Sequence, residues 1–314
     1  MRLTARSRCV LGFIVYLALC CAAAVFVADG TLRPTRRPLN PEAEITVREI
    51  AHQLDSDFTD VSIIAKHGVT LRAWSITPHR SNGDAVMLLH GLGDNRIGMT
   101  GYARLFLAHG FTVLLPDARA HGSSGGELAT YGLLERDDIR QWFEFLSAQN
   151  HPKCIFGFGE SMGAAELLQS LSVEPHFCAV VAESSFSSFR EIACDRMGQP
   201  FHLGTWFGRT VFRPVVEFAL LYTRWKYGLD MQQVSPEDSL AATRVPVLLI
   251  HGQIDSNIPL RHSRRMQIRN PKILLWEVPN ADHCGAIAAA PYEFKQRVLA
   301  LFTNSVATAA SAVP

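Results

Sequence analysis

The chain has 314 residues, 48% hydrophobic and 19% charged, with a formal net charge of +1. That length can bury one large core and suggests one or two domains. A charge so near zero, with no long basic run beyond the amino terminus, gives no basis for a nucleic-acid partner.

Arg2, Arg6 and Arg8 precede an uncharged run from Cys9 to Ala28 rich in Leu, Val, Phe and Ala. About 20 helical residues span roughly 30 Å, the thickness of a bilayer's hydrocarbon core, so residues 1–30 read as a membrane anchor or a signal sequence. Ala22-x-Ala24 resembles a signal cleavage site, but the apolar run continues through Val25-Phe26-Val27-Ala28, which favours an uncleaved anchor. Arg33, Arg36 and Arg37 balance the arginines ahead of the run, so charge sets no clear orientation. Two locations follow: a membrane-anchored body, extracytoplasmic or at a membrane face, or a protein secreted after signal cleavage. Leu19, directly before Cys20, argues against a lipidated cysteine.

Residues 31–60 read as linker and lead-in, rich in proline and arginine up to about Pro41. Val61–Ala65 and Leu71–Ile76 are predicted to form a β-hairpin turning at His67-Gly68. Ala85-Val86-Met87-Leu88-Leu89 is a continuous apolar run, as a strand buried on both faces requires, and ends at His90-Gly91-Leu92-Gly93. Helical spacing through Tyr102, Leu105 and Phe106 stops at Gly110, and a second buried strand, Thr112–Leu115, follows. Leu133–Ala148 is predicted as an amphipathic helix. Strands are then expected at Lys153–Phe158, His176–Ala182, Val245–Ile250 and Lys272–Val278. Unbroken apolar strands alternating with helices predict an α/β fold, a mostly parallel sheet covered on both faces.

In such sheets ligands gather at the carboxyl ends of the strands. Gly159-x-Ser161-x-Gly163 follows one strand and opens a helix, with glycines where a sharp turn leaves no room for Cβ atoms. Ser161 would stand exposed there as a nucleophile. Asp255 follows the next relevant strand in His251-Gly252-Gln253-Ile254-Asp255, and His283 follows the last in Ala281-Asp282-His283. The order nucleophile, acid, base suits a serine hydrolase in which His283 takes the Ser161 proton and Asp255 holds the imidazole's tautomer.

Of seven cysteines, Cys9, Cys20 and Cys21 lie in the amino-terminal run, leaving Cys154, Cys178, Cys194 and Cys284. Cys154 and Cys178 sit near the starts of predicted strands and are either bridged or buried as free thiols.

These motifs, together with Asp117-Ala118-Arg119-Ala120-His121-Gly122-Ser123-Ser124-Gly125, make the chain resemble the α/β-hydrolase family. The similarity points to its monoacylglycerol-lipase-like and serine-aminopeptidase-like branch with membrane-anchored members, and covers roughly Val61 to Phe302. It implies a hydrolase domain over 61–305 with a helical cap insertion at about 186–242, leaving 306–314 as a disordered tail. It also implies an oxyanion hole built from the Leu92 and Met162 backbone N–H groups. One departure is Ala120, where relatives commonly carry glycine.

Within the cap region Phe207, Val211, Val215, Phe218, Tyr222 and Trp225 recur at helical spacing. The stripe either packs the cap onto the hydrolase core or also lines an acyl site or a membrane, with Arg209, Arg213, Arg224 and Lys226 toward headgroups. The expected function is a serine hydrolase cleaving a small-molecule or lipid carboxylic ester through an acyl-enzyme on Ser161, with its membrane contact through the amino-terminal segment. An aminopeptidase-like peptidase or amidase would share every motif and would need a carboxylate for a free amino terminus; Glu183, Glu191 and Asp195 are available. A non-catalytic binding protein is disfavoured because all three catalytic positions are filled. No metal or organic cofactor is implied, since there is no His-Glu-x-x-His and no zinc-finger cysteine spacing.

Overall fold

The computed structural model describes residues 4–199 and 205–311. Its strands are β1 (Ser56–Ala65), β2 (Val69–Pro78), β3 (Ala85–Leu89), β4 (Thr112–Pro116), β5 (Ile155–Glu160), β6 (Ala179–Glu183), β7 (Val247–Gly252) and β8 (Leu274–Val278). The helices are α1 (Ala5–Leu32), α2 (Pro41–Gln53), α3 (Thr100–Leu107), α4 (Glu135–Asn150), α5 (Met162–Ser170), α6 (Phe189–Gly198), α7 (Thr205–Arg209), α8 (Arg213–Tyr227), α9 (Pro236–Ala241), α10 (Arg261–Arg269), α11 (Ala286–Ala289) and α12 (Pro291–Ser311). The chain divides into two compact units, one of Met1–Arg33 with Ser188–Val234 and one of Pro34–Ser187 with Ser235–Pro314.

The larger unit holds one eight-stranded sheet in the order β1-β2-β4-β3-β5-β6-β7-β8. β1 and β2 pair antiparallel, as do β2 and β4, while the remaining neighbours run parallel. Side chains alternate across a strand, so the unbroken apolar runs serve two cores at once. Val86 and Leu88 join Phe156, Phe158, Phe106 and Phe302 on one face. Ala85, Met87 and Leu89 join Trp142, Leu167 and Leu168 on the other. At Gly157 a Cβ would lie 2.6 Å from a Leu167 methyl, so glycine lets α5 lie close on its strand.

Two differences from the sequence expectation lie at the edges of this unit. The lead-in contains α2, started by Asn40, whose side chain accepts from the Glu42 N–H, with Pro41 at the first turn. Val47 and Ala51 of α2 are buried in the first core, and β1 begins at Ser56. At the carboxyl end, α12 continues to Ser311 where a tail was expected from 306; residues 312–314 lie outside the described residues. The predicted hairpin turn is present as a tight helical turn at Lys66–Gly68, with His67 left-handed at φ 66°.

Cys154 and Cys178, at the entrances to the neighbouring strands β5 and β6, form a disulfide with Cα atoms 5.6 Å apart. The bridge closes a loop of sequence separation 24, which by the chain-entropy argument contributes about 3 kcal/mol. The double variant Cys154→Ala, Cys178→Ala is expected to unfold at a midpoint several degrees lower in thermal melts. Reduction of the wild type should reproduce the loss.

The smaller unit is helical. α1 presents Cys20, Ala24, Ala28 and Leu32, one residue per turn, on its buried face. Cys20 and Ala24 pack with Val215, against which Phe218 and Ala219 of α8 also lie. Further along, Asp29 accepts from Lys226 Nζ at 3.0 Å and Tyr227 Oη at 2.7 Å. The stripe expected as one helix is broken between α7 and α8. Its Val215 and Phe218 meet α1, while Trp225 is 82% exposed. α1 is long and apolar enough to cross a membrane by length and composition.

Candidate active site

β5 ends at Glu160 and α5 begins at Met162, leaving Ser161 alone to make the turn at φ 52°, ψ −110°. A non-glycine residue holds that conformation only when its surroundings enforce it. Here the Ser161 N–H donates to the Glu183 carbonyl of β6 at 2.9 Å, and the Ser161 carbonyl accepts from Ala165. The flanking glycines are sterically required: a Cβ at Gly159 would lie 2.6 Å from the Gly163 carbonyl oxygen, and one at Gly163 2.5 Å from the Leu89 carbonyl oxygen. The turn thus lifts the Ser161 side chain off the sheet beside the amino terminus of α5.

His283 lies in the loop after β8, and its Nε2 is 2.9 Å from Ser161 Oγ. Its Nδ1 is 2.9 Å from Asp255 Oδ2 and 3.1 Å from Oδ1. With Nδ1–H donating to the carboxylate, Nε2 is free to accept the serine proton. Asp255 sits after β7 with its side chain fully buried. Burial alone would raise its pKa. Hydrogen bonds from His251, His283 and the Ile258 N–H override that and hold it well below the usual carboxylate range. Asp282 clasps the two loops, its Oδ1 accepting from the Ser256 N–H and the His283 N–H, both at 2.8 Å.

The loop after β3 closes the other side. An added Cβ at Gly91 would stand 3.5 Å from Ser161 Cβ, so this loop runs directly past the serine, with Leu92 next in the chain. Buried His90 holds it: Nδ1–H donates to the Gly91 carbonyl at 2.8 Å, and Nε2 accepts from the Ala118 N–H at 3.1 Å. That pattern needs a neutral ring, and burial followed by the nearby His121 lowers the His90 pKa accordingly. Met162 is the first residue of α5, where backbone N–H groups have no helical acceptor. The next loop, after β4, is tied down by Asp117, which accepts from the Arg96 N–H at 2.8 Å and the Ser123 N–H at 2.7 Å. Ala120 takes φ 60° in it, which explains why glycine suits that position.

Three residues around the serine, His251, Tyr102 and Glu160, had no functional role in the sequence reading, and Glu183 was weighed there only as a carboxylate for an amino terminus. His251 is fully buried, donates from Nε2 to the Ile258 carbonyl and lies 3.3 Å from Asp255 Oδ2. Tyr102 of α3, Glu160 and Glu183 meet behind the elbow, Tyr102 Oη lying 2.5 Å from Glu160 Oε1 and 3.4 Å from Glu183 Oε2. Glu183 Oε1 also accepts from the Ala286 N–H at 2.9 Å. Burial pushes Glu160 up to about 7 and Glu183 up to about 8. Folding therefore takes up protons here that the unfolded chain has released above pH ~4.3, and stability falls as pH rises from there toward 8. Glu183→Gln, neutral at every pH, is expected to melt a few degrees above the wild type at pH 8–9, the gap closing toward pH 4–5 in thermal unfolding.

Of the predicted residues, Ser161, Asp255 and His283 come together in one hydrogen-bonded line, with Gly159, Gly163 and Met162 around the turn and Leu92 in the loop beside it. The carboxylates weighed for binding an amino terminus are otherwise engaged. Asp195 and Glu191 both pair with Arg209, and Glu183 is buried against Tyr102 and the Ala286 N–H. Among the described residues no group of three or more His, Cys, Asp or Glu side chains is arranged to hold a metal ion.

Residues 86–295 match the model of the alpha/beta hydrolase family. Among curated relatives, YqkD of Bacillus subtilis is 27% identical over 247 residues, 77% of this chain and 78% of that protein. YtmA of the same species, named as a peptidase, is 27% identical over 189 residues, 57% of this chain and 66% of that one. Among solved structures, the Pyrococcus furiosus esterase Pf2001 superposes with a TM-score of 0.69 at 25% identity, covering 88% of this chain and 100% of that one. The eight-stranded sheet, the elbow and the family match agree: the chain belongs to the alpha/beta hydrolase family.

Proposed function

We propose that the protein is a serine esterase of the carboxylesterase or lipase-like kind, hydrolysing a carboxylic ester through an acyl-enzyme on Ser161. The observation that carries this reading is the continuous relay from Ser161 Oγ to His283 Nε2, and from His283 Nδ1 to Asp255 Oδ2, each step 2.9 Å. As Oγ attacks the ester carbonyl, His283 Nε2 accepts its proton, and the resulting cation is stabilised by Asp255. The oxyanion is received by the Met162 and Leu92 N–H groups, the first reinforced by the α5 dipole. His283 then protonates the leaving alcohol and later takes a proton from the water that releases the acid.

Likeness to an esterase at 25% identity, covering 88% of this chain and 100% of that one, supports the ester reading. The peptidase reading, favoured only by the printed name of one relative, is weakened because Glu183, Glu191 and Asp195 already have partners. Comparing a short-chain nitrophenyl ester with an aminoacyl amide tests the choice: the ester should turn over at least about a hundredfold faster in kcat/KM, a difference near 3 kcal/mol in transition-state stabilisation. Preference for the amide would reverse the assignment.

The same proposal places the body on a membrane through a retained α1. Cleavage after Ala24 would remove Cys20 and Ala24 from their packing with Val215 and Phe218, a loss that retention avoids. The Cys154–Cys178 disulfide favours an oxidising, extracytoplasmic compartment.

A further inference from the structure

Residues 34–40, expected as linker, touch both of the loops that shape the oxyanion side of the site. Pro34, Pro38 and Pro41 restrict the backbone around Arg36 and Arg37, so the segment is stiff without regular secondary structure. Its far end is anchored, since Leu39 packs against the first core and Asn40 caps α2. Ahead of that anchor Arg36 turns its guanidinium onto the loop after β4, donating from Nη2 to the Gly126 carbonyl at 2.8 Å and from Nη1 to the carbonyls of Ser124 and Gly122. A guanidinium carries only donors, set as a fork, and several loop carbonyls facing it are its natural partners.

The loop after β3 is held by the same segment through Asn95, which is 1% exposed. Asn95 Oδ1 accepts from the Ile97 N–H at 3.0 Å, while Nδ2 donates to the Arg37 carbonyl at 3.2 Å with the Pro38 carbonyl at 3.4 Å. The buried amide thus has partners for both its oxygen and its nitrogen. Beside it Arg37 Nη1 meets Asp94 Oδ1 at 3.1 Å, an exposed ion pair that contributes little by itself. Leu92 lies three residues before Asn95, in a turn closed by the Asp94 N–H on the Gly91 carbonyl at 3.3 Å. His90 fixes the start of that turn, and Asn95 fixes its end.

We propose that Asn95 is a positioning residue for the esterase reaction: by binding the Arg37 and Pro38 carbonyls it aims the Leu92 N–H at the developing oxyanion, and residues 36–38 are the strap it holds to. This rests on the esterase reading above. An oxyanion donor must stand about 3 Å from the place the oxygen reaches only in the transition state, so a small shift of the turn weakens transition-state binding more than substrate binding. Arg36 supports the strap from the second loop. That loop donates its Ala118 N–H to His90 Nε2, and its Asp117 accepts from the Arg96 N–H directly after Asn95. Strap and both loops therefore form one closed circuit of hydrogen bonds around the Leu92 turn.

The test uses the full-length protein, a nitrophenyl ester and a trifluoromethyl ketone with the same acyl chain. Ser161 Oγ adds to the ketone carbonyl, its proton passes to His283, and the carbonyl π pair becomes an oxyanion, so the inhibition constant reports on the oxyanion hole. Asn95→Asp, assayed at about pH 8 where a carboxyl is ordinarily ionised, keeps an acceptor for the Ile97 N–H but sets a carboxylate oxygen against two carbonyls. Per active site, kcat should fall roughly tenfold and the ketone's inhibition constant rise by a similar factor, with KM within about twofold of the wild type. A purely structural role would only lower the fraction of active protein, which fluorophosphonate titration counts; unchanged kcat per site and unchanged ketone affinity overturn the proposal. Arg36→Gln, too short and neutral to span the carbonyls, should move kcat and the inhibition constant in the same directions by a smaller factor. It carries the test should Asn95→Asp fail to fold, and unchanged ketone affinity there would likewise overturn the proposal. A wild type that turns over no ester and takes no fluorophosphonate would defeat the esterase reading itself; an active wild type whose Asn95→Asp variant keeps its kcat and ketone affinity defeats this assignment alone.

Discussion

Ser161→Ala is expected to lower kcat on a nitrophenyl ester by about 10⁴-fold or more, while the unfolding free energy stays within about 1 kcal/mol of the wild type. The asymmetry follows from the site. The hydroxyl's hydrogen bond is to His283 Nε2, so its loss removes the nucleophile and one part-exposed interaction. The backbone turn is held by the Ser161 N–H on the Glu183 carbonyl and by Gly159 and Gly163, none of which alanine disturbs. A variant retaining more than a percent of wild-type turnover would mean that another group attacks the ester.

Asp255→Asn is expected to cost about 10³–10⁴-fold in kcat and, unlike the serine change, also to destabilise the fold by about 1–3 kcal/mol. Asp255 Oδ1 accepts from the Asn257 N–H at 3.0 Å and the Ile258 N–H at 2.8 Å, while Oδ2 faces His283 Nδ1 and His251 Nε2. An amide can keep the first pair only by turning its NH₂ toward two ring nitrogens that are themselves donors. His283 must then change tautomer, and Nε2 no longer accepts from Ser161. The stability cost should depend on pH in a definite direction. The folded-state pKa of Asp255 is depressed, so its contribution is fully present above the unfolded value near 4 and is lost as pH falls below that. Melting curves should show the gap between wild type and Asp255→Asn wide at pH 7 and narrowing on acidification.

The parts of the fold legible in the sequence were those under a local constraint. A strand buried on both faces must be apolar throughout, which made Ala85–Leu89 and Val247–Ile250 readable. A turn with no room for Cβ atoms must carry glycine, which made Gly159 and Gly163 readable. Asp255 and His283 could be found because the parallel topology places strand-end loops on one edge, a rule that needs no contact to be known. Contacts between distant segments left weaker traces. Tyr102 and Glu160 are 58 residues apart, and a tyrosine within an apolar helix face looks like ordinary core. The packing of α1 on α8 was carried by small or slim residues at Cys20 and Ala24, on a buried face with a spacing of four that a uniformly apolar run conceals. α2 did have a local signal, Asn40-Pro41 followed by Glu42 and Glu44, but the prolines and arginines ahead of it looked like linker.

The most direct measurement is peptide mapping by mass spectrometry after the folded protein has reacted with a fluorophosphonate. One phosphonyl adduct is expected, on the peptide that contains Ser161, and prior denaturation should abolish it because the relay through His283 and Asp255 exists only in the folded chain. An adduct on a different residue, or none on folded protein that hydrolyses ester, would contradict the assignment of Ser161 as nucleophile.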